Sequence, residues 1–183
     1  MNAVNDMPVI MNGAQVILRM LELHGVRHVF GLPGETTIGW YKEWQRGSGV
    51  EYVLTRDERT ASFAAEAYAK ITGRPAVLEA PSPGVTHCTP GITEAYMSSV
   101  PVIYFSSDIP FNQDKKHGLT GIDQTALYAS ICKESFYLTN VAEIPFLMRR
   151  AFRVATSGRP GPVLIDIPKD VQFATGTYTP PQK

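Results

Sequence analysis

Short apolar runs alternate with helix-length amphipathic segments along almost the whole chain, and this alternation most constrains the fold. Strands are predicted at His28–Phe30, Glu51–Leu54, Ala76–Ala80, Ser99–Phe105, Phe136–Leu138 and Val163–Asp166. Each is rich in β-branched or aromatic residues and is bounded by Gly, Pro or polar residues. Helices are predicted between them, at Gly13–His24, Thr37–Gln45, from Glu58 to the stop at Gly73, around Gly91–Met97 and at Ile144–Thr156. A connection that contains a helix carries the chain back to the same end of a sheet, so neighbouring strands run parallel. The pattern predicts a doubly wound, mostly parallel six-stranded α/β sheet with helices on both faces.

Glu51–Gly73 is the densest unit of this pattern. Tyr52, Val53 and Leu54 end a strand at Thr55-Arg56-Asp57, and Ala61, Ala64, Ala65, Tyr68 and Ala69 then recur at helical spacing. Glu58 stands between the two, a carboxylate at the carboxyl end of a strand and the mouth of a helix. Open α/β sheets bind ligands there. By local chemistry Glu58 is equally an acid that offsets the helix dipole, with Asp57 as the cap.

Composition narrows the function classes. A chain of 183 residues that is 44% hydrophobic can bury one good core, and one domain is the default. Its 17 basic and 17 acidic residues balance, and no basic run or interleaved aromatic patch suggests nucleic acid as a partner. Cys88 and Cys132 lack metal-ligand or CxxC spacing and read as reduced packing thiols of a cytoplasmic protein. No apolar run approaches the ~18 residues of a membrane span, and the start MNAVNDMPVI has no signal-peptide pattern. No metal site is read from the sequence.

Two loops stand out. Gly31-Leu32-Pro33-Gly34 follows the first strand, and Pro81-Ser82-Pro83-Gly84-Val85-Thr86-His87 leads from the third into a helix. Each is readable as an ordinary turn, and a Pro-Gly turn ahead of a helix presents free amides. Ser106–Gly121 is polar and predicted as a long loop of the length that is usually functional or mobile. Gln124 follows it, with Asp123 readable as a helix cap.

Several of these stretches together resemble the thiamine-diphosphate enzymes. Arg56-Asp57-Glu58, Ala65-Glu66-Ala67-Tyr68-Ala69-Lys70 and Thr72-Gly73-Arg74-Pro75 are similar to that family's Arg-His-Glu, Ala-Glu-Gly-Tyr-Ala-Arg and Gly-Lys-Pro. Phe30-Gly31-Leu32-Pro33-Gly34 resembles its Val-Phe-Gly-x-Pro-Gly turn. Pro83, Gly84 and Thr86 match its Ser-Gly-Pro-Gly-x-Thr-Asn loop, from which Pro81, Ser82 and His87 depart. Gln124 occupies the place of the Gln in Phe-Gln-Glu. Ser157-Gly158-Arg159-Pro160-Gly161-Pro162-Val163 through Ile165-Asp166-Ile167-Pro168 and Asp170-Val171 resembles the signature of the acetolactate-synthase-like branch.

This resemblance covers most of residues 13–172 and implies the amino-terminal pyrimidine-binding domain of that branch, with residues 1–12 a tail and 173–183 the start of an interdomain linker. It implies thiamine diphosphate as cofactor and a 2-keto acid as substrate, processed by decarboxylation and carboligation. It further implies Glu58 as the activating glutamate that hydrogen-bonds the pyrimidine ring nitrogen, and Gly31, Pro33, Gly34, Pro83, Gly84, Thr86 and Gln124 as the cofactor's surroundings. The activating bond is one a neutral carboxylic acid can give, and burial against Ala61 favours that form.

Gly-Asp-Gly, which holds the diphosphate through Mg²⁺ in the family, does not occur in these residues, nor does a Walker or GxGxxG loop. The resemblance therefore places Mg²⁺ and the diphosphate on a second domain or on a separate subunit, and implies a homodimer or higher oligomer with the cofactor at its interface. The chain by itself is expected to be inactive. FAD, carried by some relatives on a middle domain, stays open. Alternative readings are a complete small subunit of a two-chain keto-acid decarboxylase, and a noncatalytic module that dimerises through the Glu58 helix.

Overall fold

Helix ends show how local sequence sets the elements. In the computed structural model, which describes residues 8–113 and 115–180, Asn12 caps α1 (Gly13–Leu23) by accepting from the Gln15 amide at 2.8 Å. The Gln15 side chain returns the bond to the Asn12 amide at 2.9 Å, which satisfies two amides that the helix leaves without partners. Gly25, at φ +70°, then turns the chain into β2 (His28–Gly31). The Asp57 carboxylate accepts from the amide of Arg59 at 2.8 Å and caps α3 (Glu58–Thr72), which ends on Gly73 at φ +66°.

Between these lie α2 (Ile38–Gln45), entered through the single turn Glu35–Thr37, and β3 (Glu51–Leu54). After α3 come β4 (Ala76–Pro81), the turn Gly84–Cys88, α4 (Thr89–Met97) and β5 (Val102–Asp108). The chain continues through α5 (Gln124–Tyr128), β6 (Ser135–Tyr137), α6 (Ile144–Thr156), β7 (Val163–Pro168) and the short α7 (Lys169–Phe173). The six strands β2–β7 form one sheet in the order β3-β2-β4-β5-β7-β6, and every pairing is parallel.

Helices cover both faces of this sheet, and the fold is the doubly wound architecture that the strand–helix alternation predicts. On one face Val29, Val77, Ile103, Phe105 and Ile165 pack against Ile17 and Leu21 of α1, Trp40 of α2 and Met148 of α6. On the other, Leu78, Tyr104 and Leu164 meet Ala61 and Ala65 of α3 and Ile92 and Ala95 of α4. The alanines let α3 lie close on the sheet, with no exposed surface at Ala61 or Ala65. Among the described residues no helix is long and apolar enough to cross a membrane.

The structure differs from the sequence reading at three places. Ser106, Ser107 and Asp108, read as the start of a loop, continue β5 and are fully buried, because they pair with Asp166, Ile167 and Pro168 of β7. The Ser106 hydroxyl donates to Asp166 at 3.1 Å, so the partner strand satisfies side chains that look like loop residues in isolation. Val9–Asn12, read as tail, is β1, and Thr175–Tyr178, read as linker, is β8; the two form an antiparallel ribbon. Residues 1–7 and 181–183 of those expected segments lie outside the described residues.

Two of the buried acids have strongly raised pKa values. Glu79, on β4, has no exposed surface, and burial pushes its pKa up to about 8, with the nearby Glu58 adding to the rise and hydrogen bonds from Tyr52 and Tyr41 opposing it. Asp166, on β7, is likewise pushed up to about 8, first by burial and then by the neighbouring Asp108.

A carboxyl whose folded pKa lies above its unfolded value binds its proton more tightly when folded. Its share of stability is intact below the unfolded pKa and is lost as pH rises toward the folded one, here from about 4 to 8. The denaturation midpoint in urea is therefore expected to fall across that window, each acid contributing on the order of 1.4 kcal/mol per pH unit. Glu79→Gln and Asp166→Asn should each flatten the slope, and an unchanged slope in both would contradict the assignment. Separately, Ala65→Leu should lower stability by about 1–3 kcal/mol, read in the same denaturation experiment, because α3 has no room to retreat from the sheet.

Candidate functional site

Strand order locates a crevice. From β2 the chain passes through α2 on one face to β3 at the sheet's edge, whereas from β4 it passes through α4 on the other face to β5. β2 and β4 are neighbours, so the segments leaving their carboxyl ends part to opposite faces, the topological switch at which open α/β sheets bind ligands. Those segments are the Gly31–Gly34 turn and the Pro81–His87 loop.

Close contact explains two of the glycines. A Cβ on Gly31 would stand 2.3 Å from the Tyr52 hydroxyl and 2.6 Å from the Glu79 carboxyl, and a Cβ on Gly34 would stand 2.5 Å from the Pro81 ring. The two loops are pressed together and joined by a bond from the Ser82 amide to the Thr36 hydroxyl at 3.1 Å. Pro33 is exposed on its turn. The Ser82–Pro83 peptide is cis.

Glu58 approaches this crevice from α3. It is only 8% exposed although it opens the helix. Its Oε1 fills the space beside Gly84, where a Cβ would lie 2.1 Å away, and its Oε2 lies 3.2 Å from His87 Nδ1. The Cys88 thiol donates to the Glu58 carbonyl oxygen at 3.4 Å, and burial pushes the thiol's own pKa far up. Thr86 donates to the Pro83 carbonyl at 3.0 Å and holds the loop in shape.

A cavity of about 270 Å³ lined by Asp57, Arg59, Thr86, His87 and Pro90 opens next to this group. Asp57, Glu58 and His87 place potential ligand atoms within 4.8 Å of one another. Asp57 is committed to the helix cap and its carboxylate lies 3.8 Å from the Arg59 guanidinium.

The structure thus gathers Glu58, Pro83, Gly84 and Thr86, with Gly31, Pro33 and Gly34 on the adjoining turn and Gln124 at the start of the Pro81–His87 loop, where it shares the Ser107 carbonyl with the Ser82 amide. Gln124 opens α5, is fully buried and donates to the Ser107 carbonyl at 3.3 Å. Asp123 caps α5 by accepting from the Ala126 amide at 2.9 Å, in line with its reading as a helix cap. Trp40 of α2 is fully buried and Trp44 packs against the same core.

Two features carry little local signal in the sequence. His87 differs from the family pattern, and nothing in its neighbours marks it as a partner of Glu58. Glu79 sits inside an apolar run, and its one signal is an acid at a buried strand position. The Glu79 Oε2 accepts from Tyr52 at 2.7 Å and from Tyr41 at 3.0 Å, the two tyrosine hydroxyls touch each other, and its Oε1 is buried with no hydrogen-bond partner.

A second polar cluster, of Asp108 and Asp166 with Lys115 bound to Asp108, closes the carboxyl ends of β5 and β7. A cavity of about 490 Å³ lies nearby, lined in part by Glu35, Thr120 and Lys169.

Residues 11–127 match the family model described as "Thiamine pyrophosphate enzyme, N-terminal TPP binding domain". The chain is 40% identical over 171 residues to the acetolactate synthase isozyme 2 large subunit of Escherichia coli, covering 93% of this chain and 31% of that protein. It is 35% identical over 170 residues to the acetolactate synthase large subunit of Buchnera aphidicola, covering 92% and 30%. It is also 39% identical over 163 residues to the probable acetolactate synthase large subunit of Methanocaldococcus jannaschii, covering 88% and 27%. The chain therefore spans under a third of the length of these relatives. A parallel sheet with a buried glutamate at its switch point and a family match over more than half the chain agree: the chain belongs to the thiamine pyrophosphate enzymes and is an N-terminal TPP-binding domain of the acetolactate-synthase-like kind.

Proposed function

We propose that residues 13–172 hold the aminopyrimidine half of thiamine diphosphate in an enzyme that decarboxylates and couples 2-keto acids, with Glu58 as the group that activates the cofactor. One observation carries this reading. The Glu58 carboxyl is nearly buried in a space that a Cβ on residue 84 would fill, at the switch point of the sheet. A lone helix-dipole acid has no need of that cradle, whereas a carboxyl that must meet a flat heterocycle edge-on needs to be held in one place, so the residues fit the cofactor.

When bound, thiamine diphosphate supplies the nucleophilic carbon and the electron sink that 2-keto acid decarboxylation requires. Glu58 would hold a hydrogen bond at the pyrimidine ring nitrogen and keep its proton shared there. Gly31, Pro33 and Gly34 would offer backbone and ring surface on the far side of the crevice, and Pro83, Gly84 and Thr86 would shape the near side. Gln124 would act from the start of α5, through the Ser107 carbonyl that it shares with the Ser82 amide.

The Mg²⁺ and diphosphate sites would be supplied by another domain or subunit facing the crevice, with two copies of this chain forming a dimer around it. Residues 173–183 would lead toward that domain, and the buried, unpaired thiols of Cys88 and Cys132 suit a reducing cytoplasm.

In the assembly completed by the diphosphate-binding domain or subunit, Glu58→Gln should slow hydrogen–deuterium exchange at the cofactor's thiazolium carbon by about two orders of magnitude or more. Proton NMR of the quenched cofactor reads this rate, and exchange close to that of the unsubstituted protein would overturn the assignment.

A further inference from the structure

Glu79 is an acid with no exposed surface in the middle of the sheet, and its contacts lead to the turn on the far side of the crevice. Its Oε2 receives the Tyr52 and Tyr41 hydroxyls at 2.7 and 3.0 Å and stands where Gly31 leaves no room for a Cβ. Thr37, whose hydroxyl is near enough to favour an ionised Glu79 but makes no hydrogen bond to it, donates to the Gly34 carbonyl at 3.1 Å and accepts from the Gly34 amide at 3.0 Å. The Gly31 end of the turn therefore rests on this carboxyl by contact, and its Gly34 end is held by the neighbouring Thr37.

We infer that Glu79 is a positioning residue for the Gly31–Gly34 turn, acting as an uncharged carboxylic acid through Tyr52, Tyr41 and Thr37. The inference rests on the proposed cofactor site only for its effect on binding. Uncharged, Glu79 leaves the Thr37 hydroxyl to the Gly34 carbonyl. Loss of its proton to solvent would leave a carboxylate in a dry layer with Oε1 unpartnered, and that stronger acceptor would draw Thr37 or water and release the turn.

The titratable groups facing Glu79 are Tyr52 of β3, Tyr41 of α2, Glu58 of α3 and Cys88 of the Gly84–Cys88 turn. Both tyrosines and the thiol are pushed far above their ordinary values by burial, so they keep their protons where Glu79, at about 8, loses its own.

Amide hydrogen exchange, read by mass spectrometry on this chain and corrected for intrinsic rates, tests the positioning role without cofactor. Across Gly31–Thr37 exchange should speed up about tenfold from pH 7 to about pH 9, and Glu79→Gln, which keeps the acceptor but cannot ionise, should hold the ratio near one. Tyr52→Phe, which removes the hydroxyl between Glu79 and Gly31, should speed exchange of the turn several-fold already at neutral pH. If the turn in both variants exchanges as in the unsubstituted chain, the inference is overturned; should Glu79→Gln fail to fold, unchanged protection in Tyr52→Phe overturns it alone.

In the assembled enzyme, calorimetric affinity for thiamine diphosphate should drop about tenfold over the same pH interval and stay level in Glu79→Gln. Binding with superimposable pH curves in the two proteins would sink this inference and leave the proposed function standing. Absence of binding by the unsubstituted assembly at every pH would instead sink the proposed function, while the exchange experiment on the free chain still decides the role of Glu79.

Discussion

Parallel pairing of β2 with both β3 and β4 is the constraint on which the rest of this structure depends. Parallel strands require return crossovers, and crossovers placed on both faces bury the sheet completely. Polar function is thereby excluded from the faces and collected at the carboxyl ends of the strands, where the backbone turns out of the sheet. Because β2 and β4 send their continuations to opposite faces, the switch point falls where the Gly31–Gly34 and Pro81–His87 segments leave the sheet, packed against each other. Glu58 reaches it because β3, next to β2, ends at the same level of the sheet, as the pairing of Gly31 with Leu54 shows.

Within this frame the buried acids form a graded set. Glu58 keeps a small exposed edge beside a cavity, and Glu79 lies fully inside, clasped by two tyrosines and leaning on the glycine turn. Asp108 and Asp166 form a separate pair near the ends of β5 and β7, with Lys115 against them. Burying an acid costs stability unless it is paired or protonated, and Glu79, Asp108 and Asp166 all lie in the carboxyl-terminal halves of interior strands. That placement is what a sheet devoted to holding a site is expected to show.

Much of the fold was legible because its signals are local. The alternation of strand and helix periods, the cap at Asp57, the glycine stop at Gly73 and the Gly31–Gly34 turn each express the conformational preferences of a few adjacent residues. The prominence of Glu58 was legible for the same reason, since a strand end and a helix start meet there in sequence. Where the reading missed, a distant partner decided. Ser106–Asp108 looked like a loop because β7 is more than fifty residues away in the chain, as the separation of 60 between Ser106 and Asp166 illustrates. The β1–β8 ribbon joins Val9 to Tyr178, a pairing that neither segment announces.

Sequence by itself determined the class of the fold, the family resemblance and the identity of the central acid, because periodicity, turn chemistry and motif residues are written in consecutive positions. Tertiary structure alone decided which glycines are needed for close contact, that His87 meets Glu58, that Gln124 is committed to the end of β5, and that Glu79 is a buried acid held by Tyr41 and Tyr52. These are relations between residues 17 to 48 positions apart, from Gln124 with Ser107 at 17 to Gly31 with Glu79 at 48, fixed only when the sheet brings their strands side by side. Distance, burial and the resulting shift of a proton are properties of that packing, and no single stretch of the chain carries them.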